Sequence, residues 1–101
     1  MSDTAVIEKT KDSVSVKEPG NYRVIFHNDN VTTVDFVVYA LCEVFLKSQA
    51  EAILLTTKVH QEGRAIVGTY TYEIASHKTE KTITLARSAH FPLQVTFEEN
   101  E

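Results

Sequence analysis

Two kinds of segment alternate along the chain, and this alternation limits the folds open to it. Three short segments are rich in β-branched and aromatic residues, as strands are: residues 22–27, 64–70 and 93–98. Between them, helical patterns occupy residues 32–46, 48–61 and 72–89. The predicted order is therefore β-α-α-β-α-β, an α+β fold with the helices on one face of a small, mainly antiparallel three-stranded sheet.

Capping signals indicate where the first two helices begin. Thr32 and Asp35 have the spacing of a capping box, so the first helix is predicted to begin there and to continue to about Leu46. Ser48 and Glu51 have the same spacing at the start of the second helix.

The helical spacing also predicts which side chains face inward. The first helix carries an apolar stripe at positions Val34, Val37, Val38, Leu41 and Phe45. In the second helix Ile53 and Leu54 are predicted to face inward, and Gly63 is predicted to end the helix in a left-handed conformation. The third helix has a thin apolar face (Ala75, Thr79, Thr82 or Ile83, and Ala86), and four charged residues are predicted to face solvent: Lys78, Glu80, Lys81 and Arg87. Gly68, in the second strand, indicates a weak point or a close approach of another group.

Length and charge restrict the classes of partner. A chain of 101 residues is long enough for one hydrophobic core, so one domain is expected, at residues 21–98. We expect residues 1–20 to form a flexible arm and residues 99–101 an acidic tail. The net charge of −4 argues against a nucleic-acid partner, which requires a basic face. No apolar run approaches the ~18 residues of a membrane helix. With one cysteine and no signal-peptide pattern, a cytoplasmic protein is expected.

The residues offer little catalytic chemistry. The four histidines, at positions 27, 60, 77 and 90, lack the spacing of metal ligands, so neither a metal nor a cofactor is expected. Cys42 lies beside the apolar stripe of the first helix, where a small core residue is the better interpretation than a nucleophile. A hydrolase that used Asp29 and His60 would lack an evident nucleophile and oxyanion site. We therefore expect no enzyme.

A polar cluster follows the first strand directly: Asn28, Asp29 and Asn30. These side chains fit a polar turn, and they equally offer oxygens to a cation or an ammonium group. Four apolar residues could line a pocket beside the cluster or could simply belong to the core: Val34, Val37, Val59 and Leu93. The residues alone thus favour a small binding or interaction domain.

Three motifs resemble those of ClpS proteins. Residues 22–37, YRVIFHNDNVTTVDFV, resemble the family's opening pattern Y-K-V-x-L-x-N-D-D-x-T-P-M-E-F-V. Residues 59–68, VHQEGRAIVG, are similar to the family's V-H-x-x-G-x-A-x-x-G. Residues 72–75 (YEIA), Lys78 and residues 91–93 (FPL) also match in order and without gaps. The resemblance covers about residues 22–97.

Similarity to ClpS implies an adaptor with this fold. The family recognises proteins with a bulky hydrophobic first residue, and it delivers them to a ClpA- or ClpC-type AAA+ unfoldase with its ClpP peptidase. By position, the resemblance implies that the α-amino group is bound by Asn28, Asp29, Asn30 and neutral His60. It implies a hydrophobic pocket formed by Thr32, Val34, Val37, Val59 and Leu93. It implies contacts with the unfoldase through Glu73 and Lys78, and it assigns residues 1–20 to a mobile arm.

The chain departs from the family pattern at three positions. Asn30 replaces the second Asp of N-D-D, which removes one negative charge from the site. Thr33 replaces a Pro, and Val34 replaces a Met at the rim of the pocket, where it is shorter and branched. A purely structural interaction domain, with a small α/β layout like that of a ribosomal-stalk module, is the alternative function.

Overall fold

The computed structural model describes residues 21–100, so the predicted arm at 1–20 lies outside the described residues. The elements are β1 (Tyr22–His27), α1 (Val34–Glu43), α2 (Gln49–Glu62), β2 (Arg64–Tyr70), α3 (Tyr72–Ser88) and β3 (Gln94–Glu99). This order confirms the predicted β-α-α-β-α-β arrangement and the α+β fold. Strand β3 continues to Glu99, the first residue of the predicted acidic tail.

Strand β1 lies at the centre of a three-stranded antiparallel sheet of order β2-β1-β3. Val24 and Phe26 of this strand are completely buried, because their side chains point to the sheet face on which the helices pack. The C-terminal end of β1 therefore lies between the start of β2 and the start of β3. The loop that follows β1 is flanked by these two segments.

Gly68 occupies an irregular place in β2. The register with β1 moves from Gly68 opposite Val24 to Ile66 opposite Ile25, so Val67 is an extra residue in the strand. A Cβ atom at position 68 would collide with the ring of Tyr70. The predicted close approach at this glycine is confirmed.

Helix α1 is shorter than predicted because the chain turns before Leu46. The helix ends at Glu43, and Leu46 has a φ of 56°, a left-handed conformation that an α-helix does not contain. The N–H of Lys47 then donates to the carbonyl of Leu41 at 3.0 Å, which closes the helix end.

The ends of α2 confirm the predicted signals, but its inward face does not. Ser48 and Glu51 form a complete capping box, and Gly63 ends the helix with a φ of 88°. The prediction that Ile53 and Leu54 face inward is wrong, since they are 49% and 71% exposed. The helix packs instead through smaller residues at helical spacing: Ala52, Thr56 and Val59. Small side chains at these positions let the helix lie close to its neighbours.

Helix α3 confirms its predicted thin face. The residues that it buries are Ala75, Thr79, Thr82 and Ala86. Of the four charged residues predicted to face solvent, three are exposed (Glu80, Lys81 and Arg87) and Lys78 is half-buried. Lys78 and Arg87 also bond to backbone carbonyls of other segments. Both are described below with the parts of the site that they affect.

Candidate functional site

The loop from β1 to α1 is organised by the carboxylate of Asp29. Its Oδ1 atom accepts the backbone N–H groups of Val31 and Thr32 at 2.8 and 2.7 Å. Its Oδ2 atom accepts the hydroxyl of Thr32 at 2.8 Å. These three bonds fix the turn after β1, so the side chain of Asp29 is already oriented before any ligand arrives.

The N-cap of α1 is Thr33, and the prediction that Thr32 would cap this helix is wrong. Thr33 has extended backbone angles, and its hydroxyl accepts the N–H of Phe36 at 3.2 Å. Thr32 is unavailable because Asp29 binds both its N–H and its hydroxyl. Thr32 and Thr33 are both possible caps by sequence, and the local bonds between Asp29 and Thr32 favour the second.

Opposing effects set the pKa of Asp29. Burial raises it, whereas the hydrogen bonds from Thr32 and Val31 and the positive charge of Arg87 lower it, and the net result is a pKa below the ordinary value. Asp29 is therefore ionised at neutral pH. An ionised carboxylate has about four acceptor positions, and the described residues use three of them. One position on Oδ2 is left for a ligand's N–H.

A backbone hydrogen bond brings the end of α2 to this loop. The N–H of Asn28 donates to the carbonyl of Gly63 at 2.9 Å, and Gly63 directly follows α2. His60 lies in the last turn of that helix and is exposed, as are the side chains of Asn28 and Asn30. The predicted polar residues thus belong to two adjoining segments at one end of the sheet.

The predicted pocket residues fall into two groups by burial. Val37, Val59 and Leu93 are buried and belong to one hydrophobic core. Val34 is 62% exposed, so its predicted place in the apolar stripe of α1 is wrong, and it lies at the surface at the start of the helix. Thr32 is half-buried. The exposure of Val34 shows only that it is not a core residue.

Arg87 is a site-related residue that the sequence pattern assigned to solvent. Its Nη1 atom donates to the carbonyls of Phe91 and Leu93, both at 2.9 Å. Helical spacing places Arg87 on the polar face of α3, where it is exposed, but it cannot show that the guanidinium also bonds to two carbonyls of the following loop. A basic residue in the last turn of a helix was the available signal, because its donors are suited to nearby carbonyls.

The two residues predicted to contact an unfoldase differ in their surroundings. Glu73 is exposed in the first turn of α3. Lys78 is half-buried, and its Nζ atom donates to the carbonyl of Val44 at 2.7 Å. The same ammonium lies 5.7 and 5.5 Å from the ring centroids of Phe45 and Tyr70. The prediction that Lys78 faces solvent is therefore wrong, because it binds the C-terminal end of α1.

The residues from 21 to 100 show neither a metal site nor a membrane-spanning helix. In this part of the chain, no three His, Cys, Asp or Glu side chains are grouped so that they could hold a metal ion. No helix in the same range combines the length and the apolar character needed to cross a membrane.

Comparisons with known proteins agree with the motifs and the fold. Residues 17–96 match the family described as "ATP-dependent Clp protease adaptor protein ClpS". The ClpS of Nautilia profundicola is 49% identical over 89 residues, which is 88% of this chain and 92% of the relative. The ClpS of Treponema denticola is 51% identical over 81 residues, 80% of each chain.

A solved structure is similar over the whole of its own length. It is the structure of Agrobacterium tumefaciens ClpS2 bound to L-phenylalaninamide, which is 31% identical in sequence. The similarity covers 82% of this chain and 100% of that chain, with a TM-score of 0.79. L-phenylalaninamide carries a free α-amino group next to an aromatic side chain, as a protein that begins with Phe does.

Proposed function

Since the chain belongs to the ClpS family, whose members are adaptors of the Clp protease and not enzymes, we propose that it binds the free N-terminus of proteins with a bulky hydrophobic first residue. It then delivers them to a Clp AAA+ unfoldase for degradation. The observation that carries this proposal is the phenylalaninamide-bound relative of the same fold. Family membership displaces the alternative of a structural domain like a ribosomal-stalk module.

The polar end of the site suits an ammonium group. A free N-terminus has three N–H donors and a positive charge, and Asp29 supplies a fixed negative charge with one acceptor position left. Exposed side chains of Asn28, Asn30 and His60 supply further acceptors. Bonds of this charge-assisted kind contribute about 1.5–3 kcal/mol each. An internal peptide bond has no ammonium, and binding it would leave these acceptors unpaired.

The apolar residues suit the first side chain. Val37, Val59 and Leu93 supply buried apolar surface, while Val34 and Thr32 form the rim. Burial of a Leu or Phe side chain contributes roughly 1.5–3 kcal/mol. Micromolar affinity requires about 8 kcal/mol, which is more than the pocket alone or any single bond to the ammonium contributes. Recognition therefore requires both a free amine and a large apolar side chain.

Delivery requires a second surface for the unfoldase. We assign it to Glu73 and Lys78 at the start of α3, and we assign a role in substrate transfer to the arm at residues 1–20. The partner is a ClpA- or ClpC-type unfoldase acting with ClpP, and we propose the cytoplasm as the place where they meet. Because Lys78 also stabilises the end of α1, only Glu73 can be changed without a direct effect on packing.

The proposed function is tested by adaptor-dependent degradation. A Leu-first reporter protein is incubated with the unfoldase, the peptidase, ATP and the adaptor. We expect the adaptor to accelerate degradation of this reporter but not of a Glu-first reporter. Glu73→Gln should lose the acceleration while keeping peptide affinity, and Glu80→Gln, an exposed change on the same helix, should keep both. Equal degradation of the two reporters with wild-type adaptor would contradict the proposed function.

A further inference from the structure

The connection between α3 and β3 is held by several independent contacts. The N–H of Phe91 donates to the carbonyl of Ala86 at 2.8 Å, and the N–H of His90 donates to that of Arg87 at 3.0 Å. His90 has a φ of 66°. This is the Schellman arrangement of a helix end, with a histidine in the left-handed position that glycine usually fills. The chain is thereby turned back toward the first strand.

Arg87 fastens the residues that follow this turn. Its Nη1 atom donates to two carbonyls, those of Phe91 and Leu93, each at 2.9 Å. The ring of Phe91 also lies 5.3 Å from the ring of Phe36 in α1, centroid to centroid. The connection is consequently held to α3 by a guanidinium and to α1 by an aromatic contact. Leu93, at its end, is buried immediately before β3 begins.

The charge of Arg87 also acts on the polar end of the site. The positive charge of the guanidinium is the smallest of the effects that lower the pKa of the Asp29 carboxylate, after its hydrogen bonds with Thr32 and Val31. Asp29 and Leu93 belong to separate loops, one after β1 and one before β3, and these strands are neighbours in the sheet. Arg87 therefore bonds to the loop that carries Leu93, and its positive charge favours the negative charge of Asp29 in the other loop.

We propose that Arg87 is a positioning residue for N-terminus recognition, which sets the place of Leu93 relative to Asp29. This inference rests on the proposed function. The distance between the ammonium acceptors and the apolar lining decides which first side chain fits, so Arg87 contributes to first-residue selectivity without contacting the ligand. Arginine suits this role because its planar guanidinium holds several donors in fixed directions, whereas a lysine ammonium is a flexible point charge.

The test compares Arg87→Gln, Arg87→Lys and the control Lys81→Gln, which removes an exposed charge from the same helix. Fluorescence anisotropy measures the dissociation constants of a Leu-first and a Phe-first peptide for each variant. Amide hydrogen exchange of residues 89–95 reports whether the connection has loosened. A general loss of stability would speed exchange throughout the protein and would weaken both peptides alike. Faster exchange confined to this connection, together with a changed Leu/Phe ratio, therefore identifies a positioning role.

We expect Arg87→Gln to weaken Leu-first binding about tenfold, because the connection that carries Leu93 is no longer held to α3 by the guanidinium. We also expect the Leu/Phe affinity ratio to change and exchange at residues 91–93 to become faster. Arg87→Lys should give a smaller loss and an altered ratio, and Lys81→Gln should behave as wild type. If Arg87→Gln fails to fold, the ratio for Arg87→Lys decides.

The outcomes separate this inference from the proposed function. If wild-type protein does not prefer a Leu-first peptide to its acetylated form, the proposed function is wrong. If wild-type protein shows that preference but the folded Arg87 variants keep its Leu/Phe ratio, the role assigned to Arg87 is overturned.

Discussion

In the proposed function, the carboxylate of Asp29 combines a structural task with a binding task. Three of its acceptor positions hold the loop after β1, and the fourth is available to a ligand. A change at this residue therefore affects the stability of the loop as well as the charge of the site. These two effects can be separated by pH and by the choice of substitution.

Asp29→Asn should reduce stability in a pH-dependent manner. The folded-state pKa of Asp29 lies below the ordinary value. The ionised carboxylate therefore contributes fully to stability above about pH 4, the pKa of Asp in an unfolded chain, and this contribution is lost as the pH falls through the lower folded-state pKa. We expect Asp29→Asn to lower the free energy of unfolding by about 1 kcal/mol at pH 7. Urea unfolding across the acid range should show this difference shrinking. A constant difference at every pH would contradict the assignment, and Glu80→Gln serves as the control.

Asn30 decides whether the site has one nearby negative charge or two. The cap of α1 is supplied by Thr33, so position 30 is not needed for that purpose and is exposed. We expect Asn30→Asp to tighten binding of a Leu-first peptide several-fold, because charged acceptors exceed neutral ones by about 1 kcal/mol. The gain should be larger at low salt.

The control for Asn30→Asp is Gln49→Glu, which adds the same charge at the opposite end of α2. That helix has 14 residues, so the added charge lies about 20 Å from the site. Identical affinities of wild type and Asn30→Asp at low salt would remove position 30 from the site.

Val34 should set the tolerance for branched first residues. Its side chain is exposed at the start of α1, and it is shorter than the methionine of the family pattern. We expect Val34→Met to sharpen the preference for Leu over Ile, with a change in the difference of binding free energies of at most about 1–3 kcal/mol. Peptides that differ only in their first residue measure this ratio. Val31→Met, an exposed change in the loop before α1, should leave this preference unchanged. A Leu/Ile ratio that does not respond to Val34→Met would place the rim elsewhere.

The residues of the site were predictable to different degrees. Asn28, Asp29 and His60 stand at positions that motifs identify, and the polar cluster itself is visible in the sequence. The bonds of Lys78 and Arg87 were not predictable, because their partners are backbone carbonyls. Every residue carries a carbonyl, so the sequence contains no signal for which one a cation will reach.

At the scale of elements, local signals predicted both ends of α2 correctly but not its buried face, whereas the predicted start and end of α1 were wrong. The Ser48 capping box and the left-handed Gly63 depend on neighbouring residues, and both are confirmed. The inward face of α2 depends on the approach of the sheet, which hydrophobicity alone does not reveal. The exposed Ile53 and Leu54 show this, since the helix packs through smaller residues.

The end of α3 carries conformational strain that a substitution should relieve. His90 occupies a left-handed position, which costs an ordinary residue about 1–2 kcal/mol. Glycine avoids this cost but loses about 0.5–1 kcal/mol through its greater freedom when unfolded. We therefore expect His90→Gly to raise the free energy of unfolding by about 0.5–1 kcal/mol. Denaturant titration measures the change.

The matched control is the same substitution inside α3. His77 is exposed in the interior of that helix, where glycine lowers stability by about 1 kcal/mol. Opposite signs for His90→Gly and His77→Gly are expected. A loss of stability in both variants would contradict the strain assigned to His90.

At the scale of the whole molecule, the sheet order explains how separate segments form one site. Because β1 is central and antiparallel to both neighbours, its C-terminal end adjoins the start of β2 and the start of β3. The loops at this end carry Asn28, Asp29 and Leu93, and the hydrogen bond from Asn28 to Gly63 adds the end of α2. The order of the elements was predictable from the spacing of hydrophobic residues. The meeting of these loops at one end of the sheet was not, because it depends on which strands pair.

The central claim is that recognition depends on a free, charged N-terminus and a large apolar first side chain together. Fluorescence anisotropy with three peptides tests it most directly: one with a free Leu at its start, the same peptide acetylated, and one that begins with Glu. We expect measurable binding of the first alone, with a loss of about a hundredfold or more on acetylation, since two or more charge-assisted bonds are removed. Equal binding of the acetylated and free Leu-first peptides would contradict the claim.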